Sequence, residues 1–157
     1  MKSAISRFLR YLDVERNASE HTLKSYREDL FSLVEYLQMA DGRVPRPGAI
    51  TPLDLRGYVS ALHEAGYARS TVARRLASLR SFYRYAQRQG LSEHNPAKPL
   101  RNPRREKKLP HFLSTDEIGW LLNAPRTREV LGLRDRAILE TTYSAGLRVS
   151  ELVGMND

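Results

Sequence analysis

The stretch STVARRLASLRSFYRYAQRQG, residues 70–90, decides how the rest of the chain is read. At 100° per residue Val72, Leu76, Leu79, Tyr83 and Ala86 fall in one narrow stripe, and Ser70, Arg74, Ala77, Ser78, Ser81, Arg84 and Arg88 take the opposite side. The spacing predicts an amphipathic helix from about Ser70 to Gln89, stopped by Gly90. Its apolar stripe needs a partner. Its other face mixes short Ser and Ala side chains with Arg, so it can approach another molecule closely and offer hydroxyl and guanidinium donors.

Working towards the N-terminus, the partners come into view. Ile5, Phe8, Leu9 and Leu12 keep the spacing of one buried stripe in a helix from about Ser3 to Arg16. Ser19 is an N-cap for a second helix carrying Leu23, Tyr26, Leu30, Val34 and Leu37 on one face and stopping before Asp41-Gly42. Residues 41–50, with Gly42, Pro45, Pro47 and Gly48, read as a loop. Thr51-Pro52-Leu53-Asp54 then places an N-cap, a proline at the first helical position and an acid at the third, opening a helix that ends at Gly66. Four one-sided helices in succession predict a four-helix bundle, with Tyr11, Tyr26, Tyr58 and Tyr83 in its core.

Downstream the grammar changes and then restarts. Pro96, Pro99, Pro103 and Pro110 rule out one continuous helix over residues 91–110, which reads as an extended basic linker. Ser114-Thr115-Asp116-Glu117 offers a capping box for a short helix ending near Pro125. A further helix is expected from about Leu131 to Ser144, stopped at Gly146, with a helical turn through residues 147–153. No strand pattern, repeat or low-complexity tract stands out. The expectation is an all-α chain with a bundle over residues 1–90, a linker over 91–110 and, over 111–157, the start of a second domain too short to close a core by itself.

Composition narrows the function. The chain has 157 residues and a net charge of +8, and none of them is Cys, which excludes disulfide scaffolds, Cys-based zinc sites and thiol catalysis and fits a cytoplasmic setting. No apolar run approaches the roughly 20 residues of a membrane span. His21, His63, His94 and His111 are scattered, so neither a metal site nor a cofactor is expected. Residues 1–66 are neutral, residues 67–108 carry 12 basic against 2 acidic side chains, and residues 109–157 carry 5 against 7. All of the excess lies in the predicted fourth helix and the linker, and most of it is arginine, whose planar fork grips phosphate oxygens in pairs. The partner this favours is nucleic acid. A basic amphipathic helix also suits an acidic membrane or the groove of an acidic protein, but its stripe is claimed by the other three helices.

Several motifs, in order along nearly the whole chain, resemble the tyrosine recombinases, and among them the Xer-type recombinases and phage integrases. Residues 19–30 (SEHTLKSYREDL) and 70–83 resemble the helical core-binding, or SAM-like, domain. Asn95-Pro96-Ala97 and residues 109–114 (LPHFLS) resemble the passage from that domain to the catalytic one. Most specific are residues 132–139 (GLRDRAIL) and 143–152 (YSAGLRVSEL).

The resemblance implies that a tyrosine attacks a DNA phosphodiester to form a 3′-phosphotyrosyl link, and that Arg148 is the first catalytic arginine, stabilising the charge that develops on the phosphate oxygens. Glu151, one turn on, would orient it. The family's lysine, His-x-x-Arg pair and nucleophilic tyrosine follow that element, whereas this chain ends nine residues after Arg148 and its eight tyrosines all precede it. The expectation is a chain that binds double-stranded DNA without cleaving it, without cofactors. It is expected to be a monomer in solution, although recombinases of the family act as tetramers on paired sites. By resemblance the second and fourth helices face DNA, which nominates Lys24, Arg69, Ser70, Arg74, Arg75, Ser78 and Arg80, with Lys98, Arg101, Arg104, Lys107 and Lys108 as linker contacts. The rival is a stand-alone, non-enzymatic DNA-binding or recombination-accessory protein.

Overall fold

The structure, a computed structural model, describes residues 1–103 and 111–155. The regular elements are helical: α1 (Lys2–Val14), α2 (Glu20–Asp41), α3 (Pro52–Glu64), α4 (Arg69–Arg88), α5 (Thr115–Asn123), α6 (Val130–Ala145) and α7 (Val149–Val153), with a 3-10 turn at Pro47–Ala49. No strand occurs among the described residues. The chain divides into two compact units, Met1–Glu106 and Lys107–Asp157.

In the first unit the helix ends are where cap chemistry puts them. The Ser19 hydroxyl accepts the Thr22 N–H at the start of α2, and Gly42 closes the helix at φ +67°. At α3 the Asp54 carboxylate accepts from the Thr51 N–H at 2.8 Å while the Thr51 hydroxyl accepts from the Asp54 N–H at 3.3 Å, a reciprocal box that satisfies two otherwise orphaned donors. α1 to α4 enclose one core. Phe8 lies at its middle, edge-on to Phe82 at 5.6 Å and to Tyr26 at 5.5 Å. Of the four tyrosines placed in the core, Tyr58 and Tyr83 are fully buried, and Tyr11 and Tyr26 pack partly buried against it. α4 buries more than its narrow stripe: Ala73, Phe82 and Tyr85 are inside as well, because α4 packs against α1, α2 and α3 at once. A one-stripe reading assumes a single partner and understates a central helix.

The segment after α4 belongs to the first compact unit. Pro96, Ala97 and Leu100 are buried, and residues 91–103 pack onto the bundle instead of leaving it. Prolines exclude a helix but not packing. A non-helical, proline-containing segment has carbonyls in need of donors, and here side chains of the bundle and of the segment itself supply them. The Asn95 amide donates to the Arg80 carbonyl at 3.1 Å, its oxygen accepts the Ala97 N–H at 3.1 Å, and the Arg80 guanidinium donates to the Ala97 and Leu100 carbonyls.

In the second unit α5 starts with a box between Ser114 and Glu117, and α6 ends at Gly146 with φ +62°. Gly132 is required by space, since a Cβ there would overlap the Arg126 carbonyl. None of the large apolar side chains described in this unit is buried; Trp120 is 74% exposed and Leu131 60%.

Candidate nucleic-acid interface

The polar face of the bundle is organised around one acid. Asp29, on α2, is 1% exposed. One of its oxygens accepts from Arg74 Nη1 at 2.7 Å, the other from the Ser78 hydroxyl at 2.7 Å, and Arg75 Nε lies 3.8 Å away. A carboxylate this deep survives ionised only with partners, and α4 supplies a hydroxyl and two guanidinium groups. The consequences for the two arginines differ. Arg74 keeps 46% of its side chain exposed while one terminal nitrogen is tied to Asp29. Arg75 is only 12% exposed, donates to Ser32 Oγ at 2.7 Å and to the Tyr58 hydroxyl at 3.4 Å, and stacks its guanidinium over Tyr67 at 4.3 Å. Burial pushes the Tyr58 phenol above its ordinary pKa. Burial also works against the charge on Arg75, but Tyr58 and Tyr67 around it more than offset this and raise its pKa.

Arg74 and Ala77 are shared by two adjacent surface depressions. One is bordered by His21, Thr22, Ser25 and Tyr26 of α2, the other by Ser70, Thr71 and Ala73 of α4 together with Asn102 and Pro103. The face they form joins the start of α2, the outer side of α4 and the segment that follows it. Along α4 it continues past Ser81 to Arg84 and Arg88, both exposed, which border a further depression with Arg16, Tyr11 and Tyr26.

The nominated residues divide into groups. Lys24, Arg69, Ser70, Arg74, Lys98 and Arg101 are exposed, and Arg101 shares a depression with Arg56, Ser60 and His63 of α3. Arg75, Ser78 and Arg80, expected to face outward, instead spend their polar groups on protein: Arg75 on Ser32 and Tyr58, Ser78 on Asp29, and Arg80 on Ala97, Leu100 and Asn102. Arg104, Lys107 and Lys108 lie outside the described residues. Nothing local in the sequence marks Asp29, since one acid in a helix reads as surface charge and its partners stand 45 and 49 positions away. Arg84 and Arg88 had a signal, since the wheel sets them beside Ser70 on the outer side.

Arg148 stands in the other unit, as the residue preceding α7. Glu151 accepts from the Arg148 backbone N–H at 2.8 Å and pairs with its guanidinium at 3.0 Å. The arginine side chain is nevertheless 83% exposed, so the pair fixes its direction without covering it. Among the described residues no cluster of three or more His, Asp or Glu could hold a metal ion, and no helix is long and apolar enough to cross a membrane.

Residues 5–90 match the family model of the phage integrase N-terminal SAM-like domain. The chain is 47% identical over 154 residues to a tyrosine recombinase XerC of Pelotomaculum thermopropionicum, covering 95% of this chain and 50% of that protein. It is 44% identical to a XerC of Syntrophus aciditrophicus, covering 100% and 52%, and 37% identical to a XerD of Listeria monocytogenes, covering 99% and 52%. The chain thus spans about half the length of the curated relatives it matches.

Proposed function

Since the chain belongs to the Xer-type tyrosine recombinases and carries the SAM-like domain of the phage integrases, we propose that it binds double-stranded DNA as the core-binding part of a site-specific recombinase. The observation that carries this reading is Arg74. Asp29 holds one of its guanidinium nitrogens where two depressions meet, nearly half of its side chain stays exposed, and the small side chains beside it let a duplex come close. Lys24, Arg69, Ser70 and Arg74 meet the phosphates from α2 and α4, and Lys98 and Arg101 from the following segment, extended by Arg104, Lys107 and Lys108. Such contacts set the register of the protein on the duplex more than they read its sequence.

In the complete recombination reaction Arg148 donates to the non-bridging oxygens of the attacked phosphate, and Glu151 holds it in direction. The reading is tested by fluorescence anisotropy with a labelled duplex. Arg74→Ala should weaken binding by about tenfold, the worth of a charge-assisted hydrogen bond, with the helical content unchanged. Undiminished affinity in that variant would put the duplex on another face.

A further inference from the structure

Arg80 was nominated as a DNA contact, yet its surroundings give it different work. Each nitrogen of its guanidinium donates to a different acceptor: Nε to the Ala97 carbonyl at 3.2 Å, Nη2 to the Leu100 carbonyl at 2.6 Å and Nη1 to Asn102 Oδ1 at 2.8 Å. The Arg80 carbonyl in turn accepts from the Asn95 amide, whose oxygen takes the Ala97 N–H. Side chain and backbone of one α4 residue therefore bind four positions of the segment that follows the bundle. The acceptors fan out in a way that suits a planar fork, and an ammonium at that place could not span them. Ala97 is 0% exposed and Leu100 8%, so these carbonyls are shut off from water and depend on the donors.

We propose that Arg80 is a positioning residue for DNA binding: it clips the segment around residues 97–102 onto α4, so that Lys98 and Arg101 are held at set places on the bundle and Asn102 and Pro103 at the depression that Arg74 borders. Lys98 and Arg101 lie inside the clipped stretch and are exposed, while Asn102 and Pro103 border the same depression as Ser70 and Arg74. Without the clip, the cations of a proline-containing segment would have to be ordered at the moment of binding, which costs affinity; with it, that ordering is done in the free protein. The inference rests on the DNA-binding reading above, and on the clip geometry independently of it.

The test is a double-mutant cycle on the whole chain with a labelled duplex of about 30 base pairs. Arg80→Lys keeps the charge and removes the fan. In the otherwise unaltered chain it should raise amide hydrogen exchange over residues 97–102, leave α1 to α3 unchanged, and weaken duplex binding by about five- to tenfold. In a background with Lys98 and Arg101 both changed to Ala, the same substitution should alter affinity by less than about twofold. Arg74→Ala should cost the same factor in both backgrounds. Asn102→Ala removes one acceptor without touching the bundle and should act in the same direction as Arg80→Lys, only less, which keeps the test valid if the arginine variant loosens the fold. Equal losses from Arg80→Lys in both backgrounds, or unchanged exchange over residues 97–102, would overturn the proposal. An unaltered chain that failed to bind the duplex would sink the DNA-binding reading instead, and the exchange measurement would still decide the clip.

Discussion

Thr51 and Ser114 start their helices in almost the same way. In each case an acid three residues on accepts the cap residue's N–H, at 2.8 Å for Asp54 and 2.7 Å for Glu117, and each cap hydroxyl accepts the returning N–H at 3.3 Å. The fates of the two helices differ. α3 buries Leu55, Tyr58 and Leu62 in a common core, whereas α5 buries nothing and shows Trp120 to solvent. Caps decide where a helix begins, and only a partner surface decides what it contributes to stability.

The contrast should be sharpest in the core. Phe82→Ala removes a 0% exposed ring and should lower unfolding free energy by about 3–5 kcal/mol in urea melts followed by circular dichroism, while Trp120→Ala should leave the transition unmoved. A large shift from the tryptophan variant would mean that α5 has a partner in solution. Next comes the buried acid. Asp29→Ala strands Arg75 without a carboxylate and leaves Ser78 without its acceptor, so a loss of about 3 kcal/mol is expected in the same melts. A loss near zero would show that Ser32, Tyr58 and Tyr67 suffice to hold that arginine.

The caps give a smaller pair of effects. Thr51→Ala should cost about 1 kcal/mol of global stability, and Ser114→Ala should fray α5 locally without moving the global transition. The smallest effect is one of pH. Hydrogen bonds from the Ser114 N–H and hydroxyl hold the Glu117 carboxyl below its ordinary pKa. The folded value lies below the unfolded one, so the cap's contribution is complete above the ordinary carboxylate range and is lost as pH falls through the lowered value. Amide shifts at Ser114 and Glu117 should therefore be constant near neutral pH and move only on acidification, and Glu117→Gln should abolish the movement. A midpoint at or above the ordinary glutamate range would contradict the box.

How legible each feature was in the sequence follows from its range. Cap residues and stop glycines act within one turn, and Ser19, Thr51, Gly90, Ser114 and Gly146 mark helix ends in the structure close to where the sequence places them. The buried stripe of α4 is local too. The inward turn of Arg75 and Arg80 is not, because Ser32 and Asn102 stand 43 and 22 positions away. A partial signal existed: at 100° per residue Arg75 and Arg80 flank the apolar stripe, about 20° and 40° from its edges, whereas Arg74 sits well clear of it. A charge count does not register that flank, because it does not distinguish an arginine beside the apolar stripe from one on the outer side. The packing of residues 91–103 was hidden for a related reason, since proline spacing reports the absence of helix and not the presence of donors across from it.

The account's central claim, that the outer face of α4 and the segment after it hold a DNA backbone, is tested most directly by the salt dependence of duplex affinity. With roughly six phosphates neutralised, log affinity should fall against log salt with a slope of about −5. An affinity that does not change with salt would contradict the claim.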